Sequence, residues 1–333
     1  MGSSPLLVVE DLRVELPLNG RLRPAVDGIS FKLEAGETVA VVGESGCGKT
    51  QLARAILGLV PEGGRIGGRV IHAGRNLLRL TDREWRGVRG ARIGLVFQEP
   101  AAALDPVRTI GDQIVESIRL HHNVSRSEAR RIARDALRDV AFPDPDHALG
   151  EYPHRLSGGM RQRAFLAMTL AAGPKILLAD EPTASLDATV AAQVLALLDS
   201  LRRLHGLTIL LITHDLGIVA EHSDRVLVLY AGRVVEEART AALFAAPSHP
   251  YTRGLLRSVP RIAAAVRHHG QRYDAIPGTV ADLSARESGV CAFVERCPER
   301  FAPCDRREPE LYTTETGRAR CFLHEEGEAR TPA

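Results

Sequence analysis

Short apolar runs divide the first part of the chain into alternating strand-like and helix-like segments. Two of these runs, residues 175–179 and 208–213, are continuous, which is typical of parallel strands that are buried on both faces. The residues between them, 188–204, have helical spacing, so this segment predicts a strand–helix–strand crossover. The run Thr38–Val42 is a further strand, which ends at a glycine-rich segment. The pattern predicts an α/β fold.

The remaining periodicity completes this outline. Residues 6–10, 13–16, 28–33, 70–72 and 93–97 are strand candidates, and residues 225–230 and 233–236 form a predicted hairpin across Ala231-Gly232. Helical spacing covers 49–58, 110–141 and 158–172, with a stop at Gly173-Pro174. Beyond residue 240 turn-rich segments follow. We therefore expect a first domain over 1–240 and a C-terminal extension over 241–333.

Composition narrows the class of protein. Of the 333 residues, 44% are apolar and 25% are charged, and the formal net charge is +2. This near-neutral balance gives no reason to expect a nucleic-acid partner. No apolar run approaches the ~20 residues that a membrane-spanning helix needs, and the N-terminal residues do not resemble a signal peptide. Any link to a membrane is therefore expected to depend on a partner protein.

The strand Thr38–Val42 leads into a phosphate-binding loop of the form G-x-x-x-x-G-K-[ST]. Its residues are Gly43, Glu44, Ser45, Gly46, Cys47, Gly48, Lys49 and Thr50. Backbone N–H groups and a helix N-terminus would surround phosphate oxygens here, Lys49 would reach the terminal phosphates, and the Thr50 hydroxyl would ligate Mg²⁺. The alternative is a glycine loop that only turns the chain. The motif predicts nucleoside triphosphate binding.

Two carboxylates follow a second buried strand. Asp180 and Glu181 come directly after the run 175–179, and Pro182 ends the strand. Asp180 suits the Mg²⁺ shell, and Glu181 is placed to orient or deprotonate the water that attacks the γ-phosphate. Adjacent acidic residues are common on surfaces, but they are uncommon at the end of an apolar strand. The pair therefore indicates hydrolysis.

A second loop would direct backbone N–H groups and a helix N-terminus toward an anion. Ser157 precedes Gly158 and Gly159 at the start of the predicted helix 158–172, and it is a plausible N-cap. A simple capped helix start would account for this segment alone. Together with the first phosphate loop and a single acidic strand end, it suggests that each nucleotide lies between two protomers.

These motifs resemble those of ATP-binding cassette (ABC) ATPases. Residues 156–163 match the family's signature motif at Ser157, Gly158, Gly159 and Gln162. The resemblance implies a P-loop NTPase fold, with a RecA-like core and with antiparallel β and α-helical subdomains. It also implies that ATP and Mg²⁺ are bound and that ATP is hydrolysed.

Three further positions follow in the family's order. Gln98 resembles the Q-loop glutamine, which senses Mg²⁺ and faces the membrane partner. Asp187 resembles the D-loop aspartate, and His214 resembles the switch histidine that contacts the γ-phosphate. The resemblance implies catalytic roles for Gln98 and His214 beside Lys49 and Glu181. One departure is that residues 1–30 contain no aromatic residue to stack on adenine, so Leu16 or Val26 would supply an apolar contact instead.

Other segments resemble the oligopeptide/dipeptide permease branch of this family, namely residues 97–113, 249–256 and 276–278. The resemblance implies an importer of di- or oligopeptides, and nickel importers share the subfamily. It also implies a second ATPase subunit, identical or paralogous, in a head-to-tail dimer. Two polytopic permease subunits, an indirectly contacted extracytoplasmic binding protein and a peripheral location on the cytoplasmic face of the membrane are the other expectations. A soluble ABC ATPase and a nucleotide kinase are the rival interpretations.

Four cysteines crowd the C-terminal extension: Cys291, Cys297, Cys304 and Cys321. Their spacings of 5, 6 and 16 intervening residues lack the close Cys-x2–4-Cys pairs typical of zinc sites. Because the resemblance also points to iron–sulfur chemistry, we expect a 4Fe-4S cluster, with Zn²⁺ or buried thiols as alternatives. Cys47 is separate and is expected to be a small tolerated side chain in the phosphate loop.

Overall fold

The computed structural model describes residues 4–97, 99–258, 276–278 and 289–325. The strands of these residues are β1 (Leu7–Leu18), β2 (Arg21–Leu33), β3 (Thr38–Val42), β4 (Arg65–His72), β5 (Arg75–Asn76), β6 (Ile93–Val96), β7 (Ile176–Asp180), β8 (Thr208–Ile212), β9 (Arg225–Tyr230), β10 (Arg233–Arg239), β11 (Tyr312–Thr313) and β12 (Gly317–Ala319).

The helices are α1 (Lys49–Ile56), α2 (Asp82–Trp85), α3 (Pro100–Ala103), α4 (Ile110–His121), α5 (Arg126–Asp139), α6 (Pro145–Ala148), α7 (Gly158–Leu170), α8 (Ala188–His205), α9 (Leu216–His222), α10 (Thr240–Ala245) and α11 (Pro250–Ser258). The elements form two compact units. The first comprises residues up to Val8, Lys32–Thr38 and Val70–Ile212, and the second comprises Val9–Phe31, Val39–Arg69 and the chain from Thr213 onward.

In the first unit, β6, β7 and β8 are parallel neighbours, with Ile93 opposite Ile176 and Ile176 opposite Thr208. Every residue of β7 and β8 is buried, as the continuous apolar runs predicted. Helix α8 connects the two strands, so the predicted crossover is present. Two more helices of this unit, α4 and α5, replace the single helical segment predicted over 110–141, because Ser125 caps a new helix.

In the second unit, β3 is parallel to β9, and β9 and β10 form the predicted antiparallel hairpin. Strand β12, from the C-terminal extension, pairs antiparallel with the other edge of β10 and carries β11 on its far side. The unit also contains the neighbouring strands β2, β1 and β4, in that order. The mixed composition of both units agrees with the predicted α/β class.

The core of the second unit brings the extension and the main sheet together. Val226, Val228 and Tyr230 of β9 pack in one apolar cluster with Tyr251 of α11 and with Phe293. Among the residues that the structure describes, no helix is both long enough and apolar enough to span a membrane.

Candidate functional site

The phosphate loop lies between β3 and α1 in the second unit. Its backbone passes so close to other main-chain groups that side chains are excluded at two positions. A Cβ atom on Gly43 would lie 2.2 Å from the carbonyl oxygen of Leu229, and one on Gly48 would lie 2.3 Å from that of Ala25. Both residues have positive φ, at 155° and 104°. The glycines are therefore required by the path of the loop itself.

Lys49 lies inside this loop, with a side chain that is only 7% exposed. Its Nζ donates hydrogen bonds to the carbonyl oxygens of Gly43, at 2.7 Å, and Glu44, at 3.0 Å. Cys47 is also buried, and burial raises the pKa of its thiol, so the thiol is neutral at neutral pH. The loop thus holds a single buried cation beside backbone groups, an arrangement that suits phosphate oxygens.

Asp180 and Glu181 stand at the carboxyl end of β7 in the first unit. Asp180 is 6% exposed, and Glu181 is half-buried with a positive φ of 48°. The Glu181 N–H donates to the Ile212 carbonyl oxygen at 2.9 Å. This bond fixes a left-handed conformation that turns the chain out of the sheet, as the predicted strand end requires. The Asp180 carboxylate is a hard oxygen donor, which suits Mg²⁺.

The signature segment begins helix α7 as predicted. The Ser157 hydroxyl accepts a hydrogen bond from the Met160 N–H at 3.3 Å, so it caps the helix. A Cβ on Gly159 would lie 2.6 Å from Cγ1 of Val190, which means that glycine permits the close approach of α7 to α8. Gln162 is buried, and its Nε2 has no hydrogen-bond acceptor among the described residues.

Asp187 and His214 both lie next to helix starts. The Asp187 carboxylate accepts hydrogen bonds from the N–H groups of Thr189 and Val190, so it caps α8. His214 is exposed and follows Thr213, whose N–H donates to the carbonyl oxygen of Val41 in β3 at 3.2 Å. His214 is therefore joined, through its neighbour, to the strand that leads into the phosphate loop.

Two other predicted positions need separate mention. Gln98 lies outside the described residues. Of the two residues considered for an apolar contact with adenine, Val26 is completely buried, whereas Leu16 is half-buried. A fully buried side chain offers no face to a base, so Leu16 is the remaining candidate of the two.

Two protein families match segments of this chain. The family described as "ABC transporter" matches residues 26–184, and the family described as "Oligopeptide/dipeptide transporter, C-terminal region" matches residues 235–304. A probable peptide ABC transporter ATP-binding protein, y4tR of Sinorhizobium fredii (strain NBRC 101917 / NGR234), is 46% identical over 327 residues, or 96% of each chain. The chain belongs to the ABC transporter family.

Two relatives in Bacillus subtilis (strain 168) are also similar to this ABC protein over nearly its whole length. The dipeptide transport ATP-binding protein DppD is 43% identical and is matched over 96% of this chain and 95% of its own. The oligopeptide transport ATP-binding protein AppD is 44% identical and is matched over 97% of this chain and 98% of its own. The predicted family and its oligopeptide/dipeptide branch are confirmed, and the protein is an ATPase of the ABC type.

Solved structures support the same fold. A dimeric, post-hydrolysis structure of the ATP-binding cassette MJ0796 bound to ADP and Pi has a TM-score of 0.63 and 26% identity, and it covers 70% of this chain and 98% of its own. The cbiO1 structure from Clostridium perfringens, part of the ABC transporter complex cbiONQ, has a TM-score of 0.63 and 27% identity. It covers 73% of this chain and 92% of its own. The predicted P-loop fold of ABC ATPases is confirmed.

The expectation of a 4Fe-4S cluster, or of Zn²⁺ in its place, is wrong. Within residues 289–325 and the other described segments, no group of three or more His, Cys, Asp or Glu side chains is arranged to hold a metal ion. Cys291 and Cys304 instead join the apolar cluster of the second unit, and Cys297 packs against it. Burial raises the pKa of Cys297 and of Cys321 to about 12, so both are neutral thiols at neutral pH. Cys291 and Cys304 are likewise buried.

One contact of the phosphate loop was not predicted from the sequence. Glu44 is held by two residues from the C-terminal extension, Tyr251 and Arg296. Residues 249–256 and 276–278 resembled family segments, but nothing in their local pattern indicated a contact with a loop more than 200 positions earlier.

Proposed function

We propose that this ABC protein is the ATP-hydrolysing subunit that powers the import of di- or oligopeptides across the cytoplasmic membrane. The observation that carries the proposal is the presence of both family matches in one chain, at residues 26–184 and 235–304. Relatives matched over almost their full lengths are named as peptide, dipeptide and oligopeptide transport ATP-binding proteins.

The phosphate loop is the proposed binding site for the triphosphate. Its backbone N–H groups and the Lys49 ammonium group would bind the phosphate oxygens, since both are fixed in a loop in which Gly43 and Gly48 cannot be replaced without a clash. The Thr50 hydroxyl, the Asp180 carboxylate and Gln98 are the proposed ligands or water-mediated partners of Mg²⁺. When bound, that ion would neutralise charge on the phosphates.

Glu181 is the proposed base for the attacking water. Its rigid left-handed backbone holds the carboxylate at the strand end, next to the proposed Mg²⁺ residue Asp180. His214 is proposed to contact the γ-phosphate, since it is exposed and its neighbour Thr213 is bonded to β3. Gln98 is proposed to couple the site to the membrane partner.

A second ATPase subunit completes the proposed site. Ser157, Gly158 and Gly159 of one subunit would contact the triphosphate on its head-to-tail partner. Gln162, in α7, and Asp187, the N-cap of α8, would lie close to this contact. The partner is an identical or paralogous chain. Two polytopic permease subunits and an indirectly contacted extracytoplasmic binding protein would complete the importer, and the protein would lie peripherally on the cytoplasmic face of the membrane. In this proposal residues 1–240 form the nucleotide-binding domain and 241–333 the extension.

Replacement of Glu181 by glutamine tests the residue assignment. Removing the carboxylate should abolish ATP turnover and leave ATP binding intact, because the phosphate loop is untouched. With ATP bound, the variant should accumulate as a dimer in size-exclusion chromatography. The matched control is Glu221→Gln, at an exposed acid on α9. Substantial residual hydrolysis by the Glu181→Gln variant would exclude Glu181 as the base.

Peptide transport is tested separately. The protein, purified with its permease subunits and binding protein and reconstituted in vesicles, should accumulate labelled di- or oligopeptides only when ATP is supplied. Failure to co-purify with any polytopic subunit would favour a soluble ABC ATPase.

A further inference from the structure

The phosphate loop is held from outside by the C-terminal extension of the same unit. The guanidinium group of Arg296 donates two hydrogen bonds to the Glu44 carboxylate, from Nη1 to Oε2 at 2.7 Å and from Nη2 to Oε1 at 3.0 Å. The Glu44 N–H donates to the hydroxyl oxygen of Tyr251 at 3.0 Å. Both the side chain and the backbone of one loop residue are therefore fixed by distant residues.

Arg296 is itself tightly fixed. Its side chain is 6% exposed, and its Nε donates to the carbonyl oxygen of Pro277 at 2.9 Å. The guanidinium group also lies 5.8 Å from the ring centroid of Tyr230. A Cβ on Gly278 would lie 3.2 Å from the Cγ of Arg296. The segment 276–278 thus packs against this arginine and accepts one of its hydrogen bonds.

Tyr251 is anchored in the apolar cluster. Its ring lies 4.7 Å from that of Tyr230 and 5.4 Å from that of Phe293, and its side chain is completely buried. Burial, followed by the nearby charge of Glu44, raises the pKa of the Tyr251 hydroxyl. The hydroxyl therefore remains protonated and neutral beside the loop.

Glu44 links these contacts to the loop's cation. Its carbonyl oxygen accepts a hydrogen bond from the Nζ of Lys49, while its carboxylate is bound by Arg296. The carboxylate would otherwise place a negative charge within a loop that binds an anion, and like charges at short range oppose binding. Arg296 compensates this charge, and it does so with the geometry that bidentate guanidinium–carboxylate pairs favour.

We propose that Arg296 and Tyr251 are positioning residues for ATP binding, through which the C-terminal extension fixes the phosphate loop and neutralises Glu44. This inference rests on the proposed function, in that the Gly43–Thr50 loop must be the ATP site. The extension then contributes directly to nucleotide affinity, in addition to any role in the transporter assembly.

A double-mutant cycle on the full chain tests the inference. Isothermal titration calorimetry with a non-hydrolysable ATP analogue, in the presence of Mg²⁺, gives the Kd of the analogue. It is measured for the parent, Arg296→Met, Glu44→Gln and the double variant. We expect Arg296→Met to raise Kd about tenfold, which is the size of one lost charge-assisted contact. In the Glu44→Gln background the same change should have less than a twofold effect, because Arg296 acts through Glu44.

A second ion pair in the extension provides the matched control. Arg253 donates to both carboxylate oxygens of Glu299, at 2.7 and 2.9 Å, without contacting the loop. Arg253→Met should leave Kd within twofold of the parent. An equal rise in Kd for Arg253→Met and Arg296→Met, an equal effect of Arg296→Met in both backgrounds, or no effect at all would overturn the inference.

Conservative variants protect the test against misfolding. Tyr251→Phe removes only the hydroxyl and should raise Kd about threefold, since one neutral hydrogen bond is lost. Tyr312→Phe, which removes a hydroxyl bonded to Glu325, should not change Kd. Arg296→Lys keeps the charge and should restore part of the affinity lost in Arg296→Met. If Tyr251→Phe binds like the parent and Arg296→Lys binds no better than Arg296→Met, the inference is refuted.

Lys49→Ala separates this inference from the proposed function. Loss of binding in Lys49→Ala combined with normal binding in Arg296→Met would refute only the positioning role. Normal binding in Lys49→Ala would refute the proposed ATP site itself.

Discussion

Replacing Gly48 with alanine adds one methyl group at the point where the phosphate loop passes the backbone of β2. The new Cβ would lie 2.3 Å from the Ala25 carbonyl oxygen, whereas ordinary contacts begin near 3.4 Å. The loop or the strand would have to move by about 1 Å, since the obstacle is main chain and not a flexible side chain. Gly48 also has a φ of 104°, which L-residues rarely adopt.

The two effects can be separated with a matched variant. Gly20, in the turn between β1 and β2, has a φ of 74°, and no atom lies within 4 Å of the position that an alanine methyl group would occupy. Gly20→Ala should therefore show only the backbone cost of about 1–2 kcal/mol, reduced by ~0.4–1 kcal/mol through loss of entropy in the unfolded chain. Gly48→Ala should add about 1–3 kcal/mol for the clash.

Urea unfolding followed by circular dichroism gives the free energy of unfolding of both variants, and titration with ATP gives Kd. We expect Gly48→Ala to be more destabilised than Gly20→Ala and to lose most ATP binding, while Gly20→Ala binds ATP normally. Equal destabilisation of the two variants, or normal ATP binding by Gly48→Ala, would refute the argument that the close backbone approach shapes the loop.

Two further predictions concern buried titratable groups. Alkylation of Cys47 should be slow at pH 7, because burial raises the pKa of its thiol. Once complete, the modification should block ATP binding, because the adduct occupies the space of the phosphates. Cys47→Ser should bind ATP with or without the reagent, and ATP binding that survives confirmed modification of Cys47 would contradict the prediction. Burial lowers the pKa of His249 to about 3, so protons favour the unfolded chain, and the free energy of unfolding should fall by ~1.4 kcal/mol per unit as the pH decreases below about 6.5. Urea unfolding at pH 7, 6 and 5 measures that slope, which His249→Asn should reduce; an unchanged slope in the variant would exclude His249 as its source.

The elements of the fold that depend on local pattern could be predicted from the sequence. Continuous apolar runs identified β7 and β8, and both strands are buried throughout. The N-cap of α5 was also available as a signal, since Ser125 is followed three positions later by Glu128, whose N–H it binds. Helical periodicity alone did not reveal that break, because apolar spacing continues on both sides of it.

Other features depend on contacts that no local pattern contains. Two short strands were predicted over 6–10 and 13–16, but β1 continues through Asp11, whose positive φ of 46° is supported by a bond from its N–H to the Ser30 hydroxyl. The pairing of Glu44 with Arg296 joins residues 252 positions apart. Motif order identified the phosphate loop and the signature helix, yet the residues that hold the loop from the extension became visible only in the folded chain.

The pairing of β12 with β10 has a consequence for how this protein can be divided. Glu236, in β10, accepts hydrogen bonds from the N–H groups of Ser248 and His249, and Glu237 binds Arg225 and Arg318. A truncation at residue 240 would remove the donors to Glu236 and open one side of a long strand to solvent. Such an unprotected edge invites pairing with another molecule, so the truncated fragment is expected to aggregate. The extension therefore protects the solubility of the part that precedes it.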